Sequence, residues 1–346
     1  MSGNGITVVP EAGGTVVNVV ITGGSGFLGS RLARALLAAG SLDLAGGGEQ
    51  PVSRVTLADQ APASADLAAD ERVAVAAGDL SEPATADALT AADVIFHLAA
   101  AVSGECEADF DLGLRSNLRG TQALLAACRA LGTSPVVVFS SSIAVFGGSA
   151  DHPLPPVIED DTMPNPQTSY GAQKVVGEVL LADYTRKGFL RGRAVRLPTV
   201  SVRPGRPNGA ASGFLSGIIR EPLAGEPATC PVGPEIEAAL ISPARAVGGL
   251  IRAATASDDA WGGRSAVNLP ALTVSVGDMV AALEQSAGPQ ASALIDWVPD
   301  PVVTGMMRGW PARIRADRAA RLGLTPDPSI ASIIARHRAE TPQRDH

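Results

Sequence analysis

The chain has 346 residues, 46% of them hydrophobic, and its 27 Lys or Arg against 35 Asp or Glu give a net charge of −8. This composition excludes a disordered chain, and the acidic balance argues against a nucleic-acid-binding protein, which needs a basic surface. No apolar run approaches the roughly 20 residues of a membrane span, and the N-terminus lacks the basic segment of a signal peptide, so we expect a cytoplasmic protein without a membrane partner.

Apolar runs alternate with helical patterns through the first 200 residues, after a glycine-rich segment over 1–15 that we expect to be disordered. The predicted strands are Val16–Thr22, Val55–Asp59, Val73–Gly78, Val94–Ala99, Val136–Ser140 and Ala194–Leu197. The predicted helices are Leu28–Ala39, Ser116–Leu131 and Ser169–Arg186, and Ser41–Ser53 is interpreted as an inserted loop. This alternation predicts an α/β fold, a Rossmann doubly wound parallel sheet covered on both faces.

The pattern changes after about Thr199, where prolines separate short segments. We predict a helix over Arg245–Ala256, a strand over Ser265–Leu269 and a helix over Val276–Ser286. Residues 16–200 and 241–269 are therefore expected to form the Rossmann domain, and 201–240 and 270–346 a smaller C-terminal α/β substrate-binding region.

A glycine-rich turn joins the first strand to the first helix. The segment Thr22–Gly29 reads TGGSGFLG, which satisfies G-x-G-x-x-G with Gly24, Gly26 and Gly29. Such glycines allow a tight turn and a close approach of a pyrophosphate to the helix N-terminus. In this strand–loop–helix context the motif predicts a dinucleotide site.

Asp59 ends the second strand, where a carboxylate can accept both ribose hydroxyls and repels a 2′-phosphate. No basic residue follows Asp59 immediately, so the sequence favours NAD over NADP. Asp79 ends the third strand, where a place beside the adenine and an ordinary turn are both consistent with the sequence.

Tyr170 and Lys174 form Y-x-x-x-K at the start of the long helix. Residues four apart share a helix face, so the phenol and the ammonium are expected to face one cleft. A nearby ammonium is expected to lower the pKa of the phenol and make it a base. The chain contains only two tyrosines and two lysines, which makes a chance pairing at this spacing rare.

Three serines, Ser140, Ser141 and Ser142, lie at the end of the fifth strand. Ser140 and Ser142 share a face by strand alternation, and Ser142 is the expected donor to a substrate oxygen. A polar turn is the alternative explanation. The three cysteines (Cys106, Cys128 and Cys230) are interpreted as free thiols, and the four histidines lack metal-ligand spacing, so we expect no metal.

Taken together, these features and the FHLAA segment at Phe96–Ala100 resemble the extended short-chain dehydrogenase/reductases, the NAD-dependent epimerase/dehydratase family, over roughly residues 17–340. The resemblance implies NAD as cofactor and catalytic roles for Ser142, Tyr170 and Lys174. His97 is interpreted as a core residue. With the residue arguments above, the expected cofactor contacts are Gly23, Gly26, Phe27, Leu28, Gly29, Asp59, Gln60, Asp79, Leu80, Leu98, Ala99, Ala100, Asn117, Ser140, Tyr170, Lys174, Leu197 and Thr199.

Other stretches, such as Ala99–Asn117 and Arg196–Phe214, resemble the branch of this family that oxidises the four-carbon sugar acid D-erythronate. The resemblance implies NAD-dependent oxidation of the C2 hydroxyl to 2-oxo-tetronate. A small anionic substrate needs a cationic partner and short polar side chains. The candidates are Ser103, Glu105, Ser142, Arg203 and Asn208, with Arg206 and Ser212 in the same stretch. A structural Arg203 and a solvated Glu105 are the alternatives.

Two other functions remain open from the sequence. The first is a nucleotide-sugar 4-epimerase, which uses the same machinery, and the second is a non-catalytic dinucleotide sensor, a class that usually lacks the tyrosine or the lysine. The resemblance also implies a homodimer, in which Ser116–Leu131 and Ser169–Arg186 would form a four-helix bundle with their copies.

Overall fold

The computed structural model describes residues 16–79, 88–149, 151–205 and 212–340. The main sheet of the described residues has eight strands. They are β1 (Val17–Thr22), β2 (Ser41–Asp43), β3 (Glu49–Asp59), β4 (Val73–Ala77), β5 (Val94–His97), β6 (Val136–Ser142), β7 (Arg191–Leu197) and β11 (Val267–Asn268).

Seven of these strands are parallel, in the order β4-β3-β1-β5-β6-β7-β11. This order confirms the predicted doubly wound sheet. It places β1 next to β5, so that the chain leaves two adjacent strands toward opposite faces. Ligands of such sheets bind at this point, outside the carboxyl ends of the strands.

Helices cover both faces of the sheet. Over the described residues they are α1 (Phe27–Ala39), α2 (Ala65–Ala68), α3 (Ser103–Ala108), α4 (Phe110–Gly113), α5 (Gly120–Leu131), α6 (Ser169–Arg186), α7 (Phe214–Leu223), α8 (Pro243–Thr255), α9 (Asp258–Trp261), α10 (Val276–Ala287), α11 (Pro289–Ser292), α12 (Pro301–Arg308), α13 (Asp317–Arg321) and α14 (Ile330–Glu340). Helices α1 and α8 pack on one face, and α5 and α6 on the other. The apolar stripe of α1, with Leu32 and Leu36 buried, is what holds it against the strands.

Two predicted segments take a different kind of structure from the one expected. The segment interpreted as an inserted loop forms a hairpin, in which β2 runs antiparallel to the start of β3. The predicted helix from Ser116 begins instead as a π-helix over Leu114–Arg119, which continues into α5. A π-turn widens the helix, and such turns occur frequently at functional sites.

A second hydrophobic core lies beside the first. It is built by α7, α10 and α14 together with two small sheets of described residues, β8 (Thr199–Val200), β10 (Glu237–Ile241) and β12 (Leu272–Ser275) in one, and β9 (Ala228–Cys230) and β13 (Ile295–Trp297) in the other. Ile218, Met279 and Ile334 are fully buried there. The first core includes Ala319 and Leu322, so α13 belongs with the main sheet although it falls within 270–346.

Candidate active site

A cavity of about 650 Å³ opens at the carboxyl edge of the main sheet. Its walls include the glycine loop, the ends of β3 to β7 and the first turns of α6. The cavity lies at the point where β1 and β5 are neighbours, which is where a doubly wound sheet binds its ligand.

The glycine loop has the tight geometry that its sequence predicts. Gly23 has a φ of +69°, and a Cβ on Gly29 would lie 2.2 Å from the Gly23 carbonyl oxygen. Gly26 is the N-cap of α1, and a glycine leaves the first-turn amides of the helix open toward the cavity. Backbone amides at a helix N-terminus bind phosphate, so the loop fits a dinucleotide.

Asp59 is held by the backbone of the same loop. Its Oδ2 accepts from the Ser25 amide at 2.9 Å, and its Oδ1 accepts from the Ala61 amide at 3.0 Å. Gln60 donates from Nε2 to Asp79 Oδ2 at 3.2 Å, and all three side chains line the cavity. A carboxylate fixed at this position fits the ribose of NAD and disfavours the 2′-phosphate of NADP.

Tyr170 and Lys174 line the cavity from the first turns of α6, which Thr168 caps through the Gly171 amide. Lys174 Nζ donates to the Ser140 carbonyl at 2.7 Å and lies 5.5 Å from the centre of the Tyr170 ring. Burial lowers the pKa of Lys174 to about 8. The lysine therefore exchanges a proton near neutral pH, which an arginine does not do.

The expected effect of Lys174 on Tyr170 is wrong for this structure. Burial dominates and raises the pKa of Tyr170 to about 12. The positive charge that lowers this pKa belongs to Arg203, and a hydrogen bond from Ser142 lowers it further. Desolvation penalises the phenolate more than the neighbouring charges stabilise it.

The three serines at the end of β6 have separate roles. Ser140 is buried and donates to the His97 carbonyl at 3.1 Å, and Ser141 donates to Glu178 Oε1 at 2.5 Å. All three line the main cavity, and Ser142 Oγ accepts from the Ala144 amide at 3.1 Å. Of the three hydroxyls, that of Ser142 is the one whose interaction with Tyr170 lowers the pKa of the phenol.

Asn117 and His97 lie behind the cavity wall. Asn117 Oδ1 accepts from the Ala101 amide at 2.8 Å. Its Nδ2 donates to the Ala101 carbonyl at 3.1 Å and to Gln173 Oε1 at 2.7 Å. It thereby ties the loop after β5 to α6. His97 bonds the hydroxyls of Thr22 and Thr121, and burial lowers its pKa to about 3, so it is a neutral core residue as expected.

Arg203 lies at the junction of the main cavity with a second one of about 90 Å³. Its Nε donates to the Val200 carbonyl at 3.1 Å, and burial lowers its pKa. The small cavity is lined by Val102, Ser103, Ser142, Ile143, Ala144, Tyr170, Pro198, Thr199, Arg203, Ser212 and Trp310. Four of the residues considered for the substrate, Ser103, Ser142, Arg203 and Ser212, therefore line one cavity.

The remaining candidates divide into three groups. Glu105 lines the main cavity, but its carboxylate accepts from the Val102 amide at 2.9 Å and is exposed. Phe27, Leu28, Leu98, Ala99, Ala100 and Leu197 line the main cavity, and Thr199 lines the small one. Leu80, Arg206 and Asn208 lie outside the described residues.

Several cavity residues were not predicted from the sequence. Ser116 and Gly120 come from the π-helix and the start of α5, Ser216 and Arg220 from α7, and Trp310 from the segment after α12. The rarity of tryptophan, with three in the chain, was the one signal that could have singled out Trp310.

The described residues contain no group of three metal-ligating side chains, and no helix among them is long and apolar enough to cross a membrane. The three cysteines are buried free thiols, as predicted. A doubly wound sheet with a glycine loop, a strand-end aspartate and a Tyr–Lys pair at the switch point is the arrangement of a nicotinamide-dependent oxidoreductase.

Comparison with known proteins agrees with this arrangement. The model of the NAD dependent epimerase/dehydratase family matches residues 19–236. The chain is 50% identical over 320 residues to D-erythronate dehydrogenase of Cupriavidus necator, which covers 92% of this chain and 97% of that protein. It is 39% identical over 318 residues to D-erythronate dehydrogenase of Haemophilus influenzae, over 92% of this chain and 98% of that protein.

A solved structure, of a nucleoside-diphosphate-sugar epimerase from Agrobacterium tumefaciens, superimposes with a TM-score of 0.86 at 43% identity and covers 95% of this chain and 96% of that one. The chain belongs to the NAD-dependent epimerase/dehydratase family. It is an oxidoreductase, and its cofactor is NAD.

Proposed function

We propose that the chain catalyses the NAD-dependent oxidation of the C2 hydroxyl of a small sugar acid, D-erythronate, to 2-oxo-tetronate. The observation that carries this proposal is the charge of Arg203 beside the Tyr170 phenol. An anion bound by Arg203 puts its carboxylate next to the hydroxyl that the phenol contacts, which is the arrangement of a 2-hydroxy acid. The names of the two relatives support the four-carbon acid.

In the proposed reaction Ser142 and Tyr170 hold the C2 oxygen of the substrate, and the phenolate form of Tyr170 takes the hydroxyl proton. When bound, NAD supplies the nicotinamide ring that accepts the hydride from C2. Because the pKa of Tyr170 is about 12, the phenolate is a minor form at neutral pH, and Arg203 and Ser142 raise its fraction. Lys174, with a pKa of about 8, passes the proton onward.

The glycine loop, Asp59 and Lys174 would hold the cofactor. Two observations support this assignment: the lack of space for a side chain at Gly29, and the backbone amides that hold the carboxylate of Asp59. In the same proposal the small cavity holds the rest of the sugar acid. Its serines and Thr199 are short hydroxyl groups of the kind that bond a polyol chain.

The competing activity is nucleotide-sugar epimerisation, which the similarity to the Agrobacterium epimerase favours. A panel of four- to six-carbon aldonates and UDP-sugars, each with NAD and with NADP, separates the two. We expect NADH formation, followed by absorbance, with D-erythronate and NAD. Epimerised UDP-sugar without NADH release, in the absence of any activity on sugar acids, would overturn the proposal.

We also propose a homodimer in which the π-helix with α5 and the helix α6 form a four-helix bundle with their copies. Apolar side chains on this side of the molecule support it, since Phe110, Val176 and Val179 are 59%, 41% and 63% exposed. The double variant V176E/V179E is expected to run as a monomer in light scattering, against a wild-type dimer. A monomeric wild type would contradict the proposal.

A further inference from the structure

An indole forms part of the wall of the small cavity beside Tyr170. Trp310 lines it, whereas Trp261 is buried elsewhere and Trp297 is 41% exposed. Because Tyr170, Ser142 and Arg203 line both cavities, the reacting carbon of a bound sugar acid lies at their junction. The rest of its carbon chain then shares the small cavity with the indole.

The small cavity has one kind of wall for the hydroxyls and another for the carbon chain. Ser103, Thr199 and Ser212 supply hydroxyl groups, while Ile143, Pro198 and Trp310 supply apolar surface. An indole offers a large, flat contact for the C–H groups of a polyol. A polyhydroxy chain therefore suits this space better than a purely apolar or a purely charged group.

The backbone that carries the indole is hydrogen-bonded to neighbouring segments. The Trp310 amide donates to the Met307 carbonyl at 3.2 Å, and Thr273 Oγ1 donates to the Ala312 carbonyl at 2.7 Å. Ile158, from the segment between β6 and α6, bonds it twice: its amide donates to the Arg313 carbonyl at 2.9 Å, and its carbonyl accepts from the Arg315 amide at 2.8 Å. The indole is thus part of a fixed wall, and a fixed wall discriminates by size.

The volume of the cavity sets a tight limit. About 90 Å³ is far below the roughly 300 Å³ at which pockets for drug-sized ligands begin. We propose that Trp310 determines the chain length of the substrate, because its indole occupies the space that the additional carbons of five- and six-carbon sugar acids need. This inference rests on the proposed oxidation of a sugar acid and assigns its size specificity to one side chain.

The test compares the variants W310A and W310F with the wild type, and W297A is the matched control because it removes an exposed indole from the same region. The measured quantity is kcat/KM for D-erythronate and for its five- and six-carbon homologues with the same C2 and C3 configuration. One carbon more or less in a fitted pocket changes kcat/KM by about 10- to 200-fold. W310A is therefore expected to shift the ratio at least about 10-fold toward the five-carbon acid, W310F less, and W297A not at all.

Thermal unfolding and NAD titration of each variant identify a folded enzyme, and if W310A does not fold, the ratio of W310F decides. An unchanged ratio in folded W310A, or an equal shift in W297A, overturns the role of Trp310 while the wild-type activity on D-erythronate leaves the proposed function intact. A wild type that oxidises none of the acids overturns the proposed function itself, and this inference with it.

Discussion

The two ends of the active-site cleft are built in different ways. The cofactor end is built mainly from backbone, namely the glycine loop, the strand ends and the amides that hold the Asp59 carboxylate in place. The substrate end consists of side chains, among them Arg203 and Trp310, which come from segments far apart in the chain. Backbone geometry follows from the fold, whereas a set of side chains can change with little effect on the fold.

This difference indicates which part of the cleft the family shares and which part distinguishes one member from another. The cofactor end lies at the switch point of the sheet, so any chain with this strand order has it available. The substrate end lies beside Ile143 and Trp310, which belong to two different apolar clusters, and its side chains come from the segments after β5, β6 and β7. Mutations at the two ends should therefore fail in different ways.

The largest expected effect lies at the junction of the two ends. The variant Y170F keeps the ring but removes the oxygen that takes the substrate proton. We expect kcat to fall by about 10²- to 10⁴-fold, the contribution typical of general acid–base groups. The affinity for NAD, measured by calorimetry, should stay near the wild-type value because the cofactor end is intact. Substantial NADH formation by Y170F would contradict the mechanism.

The sequence could predict this junction because its parts are local. Tyr170 and Lys174 are one helical turn apart, and the glycine loop is a single turn between β1 and α1. Local spacing determines which of these residues lie together, whatever the rest of the chain does. The parallel, doubly wound sheet followed in the same way from the alternation of apolar runs and helices.

Properties that depend on distant segments could not be predicted in this way. The sign of the Tyr170 pKa shift depends on how deeply packing buries the phenol, and that burial comes from the whole fold. Trp310 lines the same small cavity as Tyr170 although the two lie far apart in the chain, and Ile158 and Thr273 bond the segment that follows it. The hairpin of β2 and β3 was missed because its polar, glycine-rich sequence is also typical of a loop.

A second prediction concerns a variant that perturbs the cofactor end alone. The variant G29A puts a methyl group 2.2 Å from the Gly23 carbonyl oxygen, so the loop must move. Overpacking of this kind costs about 1–3 kcal/mol. If this cost reduces the free energy of NAD binding, the Kd for NAD rises by about 5- to 150-fold. Calorimetric titration with NAD measures this change.

The matched control is G248A, a glycine in α8 whose Cβ position has no described atom within 4 Å. Alanine in a helix interior is favourable by roughly 0.5–1 kcal/mol over glycine, so G248A should keep NAD affinity and unfold at the same or a higher temperature. Equal losses in both variants would mean that the glycine loop has no special place in cofactor binding.

A third prediction concerns the substrate end alone. The variant R203Q removes the positive charge beside Tyr170 and the proposed partner of the substrate carboxylate. A lost hydrogen bond to a charged group costs about 1.5–3 kcal/mol, so kcat/KM should fall by about 10- to 150-fold, chiefly through KM. NAD affinity should not change, and R264Q, an exposed arginine outside both cavities, should behave as wild type.

The pH dependence of kcat separates the two roles of Arg203. Its charge lowers the pKa of Tyr170, so its removal raises that pKa further above the already high value of about 12. The rate of oxidation rises with pH as the phenolate forms, and this rise should move to higher pH in R203Q. R203K keeps the charge and should keep the wild-type profile even where its KM is raised, because it lacks the two-pronged contact of a guanidinium. A profile that is the same in R203Q and the wild type would show that the charge does not act on Tyr170 and would leave Arg203 with substrate binding alone.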